Sequence, residues 1–371
     1  GSSFTVMKKI LYGVCGIGNG HTQRALPLIE HFAKQHQVVI FAYGSSLAFF
    51  RKQFDGHDHI LVLEVAVPFY VGNKEGIDFE ATKNLPANQK EFDAINANAF
   101  ALTEELLGTP DLVISDYEPI SAEYSYKHNA PLVTIDQQSK YLTGDFPTEL
   151  HGETFADEVA RLKLFFPIAN DRIACSFFDV TKTLDGMDVK MFPPILKESI
   201  LDLRNIPAEP KQILVYLSSQ KEFPQTLEEI VHVCASQPDV QFHIFAPDTD
   251  RASSDENVSF YKHGDASFVP LLATCSGIIS TAGHTLLSEA MHLGIPVYAI
   301  PLPVYEQQMN AEVIDQNGFG LRAEAIEKEA LERFIVHLES CRSAILSDTR
   351  VLLKGDGTEK IVRYLNGKYL L

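Results

Sequence analysis

The sequence predicts an α/β protein of two doubly wound, Rossmann-like domains facing each other across a cleft. Three observations carry this. Short apolar runs bounded by glycine or proline alternate with stretches of helical periodicity, the pattern of a parallel sheet with helices on its faces. The series starts afresh after a proline-rich segment in mid-chain. The chain has 371 residues, more than one core ordinarily organises and suited to two domains.

In the first half, "KKILYGV" (8–14) is an apolar run ending in glycines and reads as a buried parallel strand. Leu26, Ile29, Phe32 and Ala33 follow at helical spacing from Ala25. "QVVIFAYG" (37–44) is the next strand, then "PDLVISDYEP" (110–119) and "APLVTIDQ" (130–137), with a helical stretch over 90–107. The second series is "KQILVYLSS" (211–219), "VQFHIFAP" (240–247), "SGIIST" (276–281) and "IPVYAIP" (295–301). Between them lies "MFPPILKESILDLRNIPAEPK" (191–211), with four prolines and mixed charge, a linker composition. The expected domains are residues 7–197 and 208–371, with the last helix free to cross back to the first domain. Residues before Met7 do not resemble a signal peptide and read as an appended leader, outside the fold reasoning.

Apolar residues make up 45% and charged residues 22%, so the composition is that of a soluble globular chain rather than a disordered one. A net charge of −18 argues against nucleic acid and anionic membrane as partners, since both are polyanions. No apolar run approaches the roughly 18 residues of a spanning helix. Peripheral membrane contact stays open, but nothing points to it. Cys15, Cys175, Cys234, Cys275 and Cys341 are scattered and show no CxxC spacing. They read as reduced, buried thiols of a cytoplasmic protein.

The stretch "CGIGNGHTQRALPLIEHF" (15–32) raises three readings: a nucleotide cradle, a catalytic loop or a tight turn. A dinucleotide fingerprint needs GxGxxG, and here Gly16, Gly18 and Gly20 run GxGxGH. It also needs an acid at the end of the second strand, where Tyr43-Gly44-Ser45-Ser46 stands instead. What remains is a strand, a glycine turn and His21 at a helix start. The partial positive charge there disfavours imidazolium, so His21 is expected to be neutral near pH 7, as a general base must be. The plain alternative is a polar turn histidine.

The second informative stretch is 280–320. Gly283 ends a strand, and His284 or Thr285 opens a helix whose backbone N–H groups suit a diphosphate. Glu289, six residues past Gly283, falls in the first helical turns, where a carboxylate accepts two ribose hydroxyls. Beyond the next strand, Glu306, Gln307, Gln308 and Asn310 offer donors and acceptors to sugar hydroxyls, or else a solvated loop and helix cap. The segment "VAVPFYVGNKEGIDFE" (65–80) reads as an exposed loop or as an acceptor loop.

The order Gly283…Glu289, Gly294-Ile295-Pro296, Pro301 and Glu306-Gln307-Gln308-Met309-Asn310-Ala311 resembles the donor-binding region of GT-B glycosyltransferases. It is similar to that of UDP-glycosyltransferases and of the N-acetylglucosaminyltransferase of peptidoglycan synthesis. "GNGH" (18–21) resembles their GxGH loop and "FPP" (192–194) their linker start, so the likeness spans nearly the whole chain. It implies His21 as catalytic base and Asp116, at the end of "DLVISD", as the acid that orients it. It implies Glu289 on the ribose and Glu306 with Gln307 on the donor sugar. Gly18, Gly20, Gly283, His284, Thr285 and Gln308 belong to the same implied donor site. Ser218 and Ser219 stand where relatives have a glycine-serine loop on the phosphates, though this chain lacks the glycines. Plant-type relatives have a histidine near the position of Thr281, and a tryptophan on the uracil. This chain has no tryptophan, so the backbone from Asp265 to Phe268 is the expected contact for the base.

The resemblance therefore implies an inverting transfer from a nucleotide-diphosphate sugar, most simply UDP-linked, to an acceptor hydroxyl. No cofactor is expected, and no metal, because helix N–H groups take up the charge of the leaving group. Two other classes remain open on sequence alone. One is a nucleotide-sugar hydrolase or 2-epimerase on the same fold, and the other a non-catalytic nucleotide-sugar binding protein.

Overall fold

The computed structural model describes residues 6–83, 91–144, 146–180, 187–218, 223–247 and 255–371. Its first sheet contains β1 (Lys9–Val14), β2 (Gln37–Ala42), β3 (Ile60–Glu64), β4 (Leu112–Asp116), β5 (Leu132–Asp136), β6 (Asp171–Cys175) and β7 (Val189–Phe192). They lie in the order β7-β6-β5-β4-β1-β2-β3, and every pairing is parallel. The second sheet contains β8 (Gln212–Tyr216), β9 (Gln241–Phe245), β10 (Val258–Tyr261), β11 (Gly277–Ser280), β12 (Val297–Ala299) and β13 (Gly320–Arg322). Its order is β10-β9-β8-β11-β12-β13, again all parallel.

In each sheet the strand order reverses once, between β1 and β4 in the first and between β8 and β11 in the second. At such a point the connections on either side lead to opposite faces, leaving a crevice beyond the carboxyl ends of the strands. The stretches singled out in the sequence fall at these two places. Residues 15–21 leave β1, and Thr281 to Gly283 leave β11.

Six helices matter for the site: α1 (Gly20–Ala33), α2 (Pro119–His128), α3 (Ala156–Phe165), α4 (His284–Leu293), α5 (Tyr305–Gln316) and α6 (Gly357–Lys368). Helix α1 starts five residues before the apolar periodicity begins. It buries Ala25, Leu28, Ile29, Phe32 and Ala33 against the first sheet, and Arg24 with them. Helix α6 packs Ile361, Val362 and Leu365 into the core built from Ile10, Ile29 and Phe32, so the chain's end lies on the first sheet. Asp171 anchors it there through Lys368 Nζ and the Tyr364 hydroxyl, each at 2.8 Å. At Gly357 a Cβ would stand 2.1 Å from the Pro193 carbonyl, so only glycine lets this crossing press against the linker.

A third apolar cluster joins the two sheets. Tyr141, Phe146, Phe177 and Phe178 meet Leu287, Met291 and Tyr305 in it. This packing brings the two crevices face to face.

Candidate active site

The glycine turn after β1 has distinct reasons at its positions. A Cβ on Gly16 would lie 1.8 Å from the Tyr43 carbonyl, so β1 and the end of β2 approach too closely for any side chain. Gly18 has φ +71°, the left-handed region. Gly20 meets nothing within 4 Å, so its need is not steric. The Ser45 hydroxyl donates to the carbonyls of Gly16 (2.8 Å) and Gly18 (2.7 Å) and fixes the loop. The turn delivers His21 into the first turn of α1, beside the end of β4.

There Asp116, fully buried, holds two side chains at once. His21 Nδ1 lies 2.6 Å from its Oδ1. Arg24 donates through Nε to Oδ2 at 2.7 Å and through a terminal nitrogen to Oδ1 at 3.0 Å. Burial works against the Asp116 carboxylate, but Arg24 and His21 outweigh it and hold its pKa below the usual range. Burial also works against the imidazolium, yet Asp116, with Cys15 adding to it, pushes the His21 pKa up to about 10.

This corrects the expectation of a neutral His21. A helix end carries roughly half a charge, whereas Asp116 supplies a full one in hydrogen-bond contact. In this contact Nδ1–H donates to Asp116, and the carboxylate favours the imidazolium over the neutral ring.

Tyr117 follows Asp116 with φ +58°, a strained conformation for a bulky residue. The turn lays its ring parallel to His21, with centroids 5.8 Å apart and planes 15° apart. Its hydroxyl donates to Glu158 Oε2 on α3 at 3.0 Å. Neither Arg24 nor Tyr117 is singled out by the sequence. Arg24 sits three residues past His21 on the buried face of a helix, so its charge requires a partner there.

On the opposite sheet, Gly283 caps α4, and the first residues of that helix meet the start of α1 across a small cavity. His284, Thr285 and Glu289 line a cavity of about 30 Å³ together with Gly20, Gln23, Arg24 and Lys197. Glu289 is only 8% exposed, and burial pushes its carboxyl up to about 7 against the pull of Lys197. Burial holds the His284 pKa well below the usual value, and Lys140 and Arg24 add to this. Its Nε2 has no partner among the described residues.

The glutamine pair is engaged differently from the expected sugar fork. Gln307 Oε1 accepts from the backbone N–H groups of Leu302 (2.9 Å) and Ala282 (3.2 Å), tying α5 to the loop that precedes α4. Gln308 is buried, and both ends of its amide are used, by the Leu302 carbonyl and by Arg322. These bonds brace α5 against β13 and the loop before α5. Asn310 likewise donates to the Ala282 carbonyl. Ser218 is exposed at the end of β8, and Ser219 lies outside the described residues. The Phe268 side chain packs on Tyr216 and Phe245, and its backbone N–H donates to the Asp265 carbonyl at 3.2 Å.

His21 and Glu306 line one larger cavity, of about 720 Å³, between the sheets. Val67 to Tyr70 form part of its wall, so the front of the 65–80 segment belongs to the site. Among the described residues no cluster of three or more His, Cys, Asp or Glu is placed to hold a metal ion, and no helix is long and apolar enough to cross a membrane.

The family model described as "Glycosyl transferase family 1" matches residues 8–339. An uncharacterized glycosyltransferase of Methanosarcina mazei is 23% identical over 342 residues, covering 84% of each chain. The UDP-N-acetylglucosamine–N-acetylmuramyl-(pentapeptide) pyrophosphoryl-undecaprenol N-acetylglucosamine transferase of an Exiguobacterium species is 25% identical over 363 residues, 91% of each chain. Among solved structures, Phytolacca americana UGT2, complexed with UDP-2fluoro-glucose and pterostilbene, superposes with a TM-score of 0.67 over 99% of this chain and 100% of that one. Its identity is 12%, so the likeness is one of fold. The two facing parallel sheets are the GT-B arrangement.

Proposed function

The chain belongs to glycosyl transferase family 1, and from that premise we propose that it moves a sugar from a UDP-sugar to an acceptor hydroxyl with inversion, using His21 as general base. The observation that carries this reading is that His21, backed by Asp116, and Glu306 line the same cavity. A base held at one wall and a sugar-binding carboxylate at another are what a single displacement needs.

In the proposed reaction His21 Nε2, once neutral, takes the proton of the acceptor hydroxyl. The oxygen forms its bond to the anomeric carbon as the bond from that carbon to the diphosphate oxygen breaks, and UDP leaves with the electron pair. Asp116 keeps the Nδ1 proton in place and stabilises the imidazolium that forms. N–H groups at the start of α4 take up the charge on the diphosphate, so no divalent metal is required. Glu289 holds the ribose.

A thermal-shift screen of UDP-, GDP- and dTDP-sugars tests the donor, because a ligand that binds the native state raises its stability. Nuclear magnetic resonance of the product's anomeric proton then tests inversion, in buffer containing EDTA. A preference for a non-uridine donor, retention of configuration, or loss of turnover in EDTA would each remove the corresponding part of the reading.

A further inference from the structure

The cavity beside His21 has an unusual wall for a site that takes an alcohol. Its rings include Tyr70, Tyr117, Tyr141, Phe155, Phe165 and Tyr305. Several of them stand edge to face: Phe155 and Tyr305 at 4.9 Å, Tyr141 and Tyr305 at 5.7 Å, Tyr117 and Phe165 at 5.6 Å. Four carboxyl groups join them, Glu153, Asp157, Glu158 and Glu306.

Two cations line the cavity at neutral pH, the His21 imidazolium, held by Asp116, and Arg161, which is already committed. Arg161 binds Asp157 at 2.8 Å, and its Nε and a terminal nitrogen donate to the Tyr70 carbonyl at 3.1 and 2.9 Å. Its approach to Glu158 is longer, 3.5 Å. The cavity is thus aromatic and carries an excess of negative charge. The Tyr141 hydroxyl, on a side chain 2% exposed and lining the same cavity, has no hydrogen-bond partner among the described residues. An orphaned hydroxyl of this kind calls for a polar partner, which a ligand in the cavity can supply.

We propose that the acceptor is a ring-bearing molecule that carries, besides its reacting hydroxyl, a basic nitrogen protonated at neutral pH. This inference rests on the reading of the cavity as an acceptor site. Ring faces with carboxylates between them are what a desolvated ammonium requires, since each ring offers its negative face and each carboxylate a hydrogen bond. An anionic acceptor would meet four carboxyl groups, a guanidinium that is already paired, and an imidazolium that must lose its charge before it can act as a base. A neutral acceptor would cover Glu158 without compensating it, and burial already pushes that carboxyl up to about 7.

The geometry also sets the shape of the acceptor. Tyr117 stacks on His21 with its ring and donates to Glu158 with its hydroxyl. The base therefore lies against the Tyr117 ring and the carboxylate beyond its hydroxyl. The hydroxyl and the nitrogen of the acceptor should lie at opposite ends of its scaffold.

Three compounds on one scaffold test this on the full chain: tyramine, tyrosol and 4-hydroxyphenylacetate, with binding measured by calorimetry in the presence of UDP. Tyramine should bind at least tenfold more tightly than tyrosol, and 4-hydroxyphenylacetate most weakly. Glu158→Gln should bring tyramine to the level of tyrosol while UDP affinity stays unchanged. Equal binding of tyramine and tyrosol, tightest binding of the carboxylate, or no binding of tyramine at millimolar concentration would overturn the proposal. The wild-type ranking decides it even where the variant does not fold. UDP affinity, read on the same samples, tests the donor independently, so its loss with the tyramine preference intact removes the donor reading alone.

Discussion

His21 Nδ1 and Asp116 Oδ1 lie 2.6 Å apart, and the carboxylate in that contact is shared with Arg24. The shared carboxylate sets the protonation state of the base. With its pKa raised from 6.5 to about 10, His21 is mostly imidazolium at neutral pH and gains base character only as the pH rises. The kcat/KM of transfer should therefore climb through the neutral range on a limb well above 6.5. Asp116→Asn removes the charge that raises the pKa and should move the limb down. Because Cys15 and Asp116 titrate in contact with His21, the limb belongs to the cluster rather than to one residue. pH–rate profiles of the two proteins check this, and a wild-type limb near 6.5 would sink it.

The same contact makes a stability prediction. A histidine whose pKa rises on folding contributes stability that is complete below its unfolded value and is lost as the pH passes the folded one. The window here runs from 6.5 to about 10. Denaturant midpoints of the wild type should fall across that window relative to those of His21→Ala. Parallel curves for the two proteins would show that the contact carries no such linkage.

His21→Ala should lower the rate of transfer by about 10²–10⁴ while leaving UDP affinity nearly unchanged. The side chain lines the large cavity, whereas the stretch proposed for the diphosphate is the start of α4. Single-turnover rates with a true acceptor, set beside calorimetry with UDP, separate the two effects. Near-wild-type turnover would leave the glycine turn a purely structural feature.

Asp116 has a second duty that His21 lacks. Removing it leaves the Arg24 guanidinium, which is itself buried, without its counter-charge. Breaking a buried pair from one side costs about 3–5 kcal/mol. Asp116→Ala should thus destabilise the fold by roughly that amount, and Arg24→Met in the same chain should restore much of it. Urea unfolding of the single and double variants gives the answer. A double variant no more stable than the single one would show that the arginine is not the source of the cost.

Much of this was legible before any coordinates. The two parallel sheets follow from apolar runs whose centres, Ile10–Val14 and Ile213–Val215, are buried on both faces and so cannot be mistaken for surface. The strands not foreseen are mostly edge or charged ones. Ile60–Glu64, Val189–Phe192, Val258–Tyr261 and Gly320–Arg322 each have an incomplete apolar pattern, and Asp171–Cys175 opens on two charged residues. The pairing of His21 with Asp116 could be inferred because both leave neighbouring parallel strands at one edge. Arg24 could not, since a charge on the apolar face of a helix reads as a misfit until its partner on another strand is known. The protonation state of His21 was misread for the same reason, because it depends on a tertiary contact outside its own helix.

Glu289 makes a prediction whose pH dependence has the sense of an ordinary carboxylate but lies higher on the pH scale. In the role proposed for it, its ionised form accepts both ribose hydroxyls, and burial holds its pKa up to about 7. UDP affinity should therefore weaken as the pH falls through 7, well above the usual carboxylate range. Glu289→Gln should remove that dependence and cost roughly 1.5–3 kcal/mol for each charge-assisted bond lost. Calorimetry with UDP between pH 5.5 and about 8.5 covers the window on either side of that pKa. Unchanged affinity across it would remove Glu289 from the ribose.

Glu306 and Gln307, neighbours in the sequence, should separate in their effects. The Gln307 carboxamide oxygen accepts from Leu302 and Ala282 N–H and so holds the loop that leads into α4. Gln307→Ala strips two backbone N–H groups of their acceptor and loosens the residues proposed to meet the diphosphate. Leaving a buried donor unpaired costs about 1–3 kcal/mol, so this variant should weaken free UDP and the intact UDP-sugar alike. Glu306 has no such structural bond among those described and faces the cavity that contains His21. Glu306→Ala should leave UDP affinity as it is and weaken only the UDP-sugar. Titrating both ligands into both variants yields four affinities, and the prediction lies in their pattern. A Gln307→Ala loss confined to the sugar would reinstate the glutamine as a sugar contact, and equal losses in Glu306→Ala would move that carboxylate to the nucleotide.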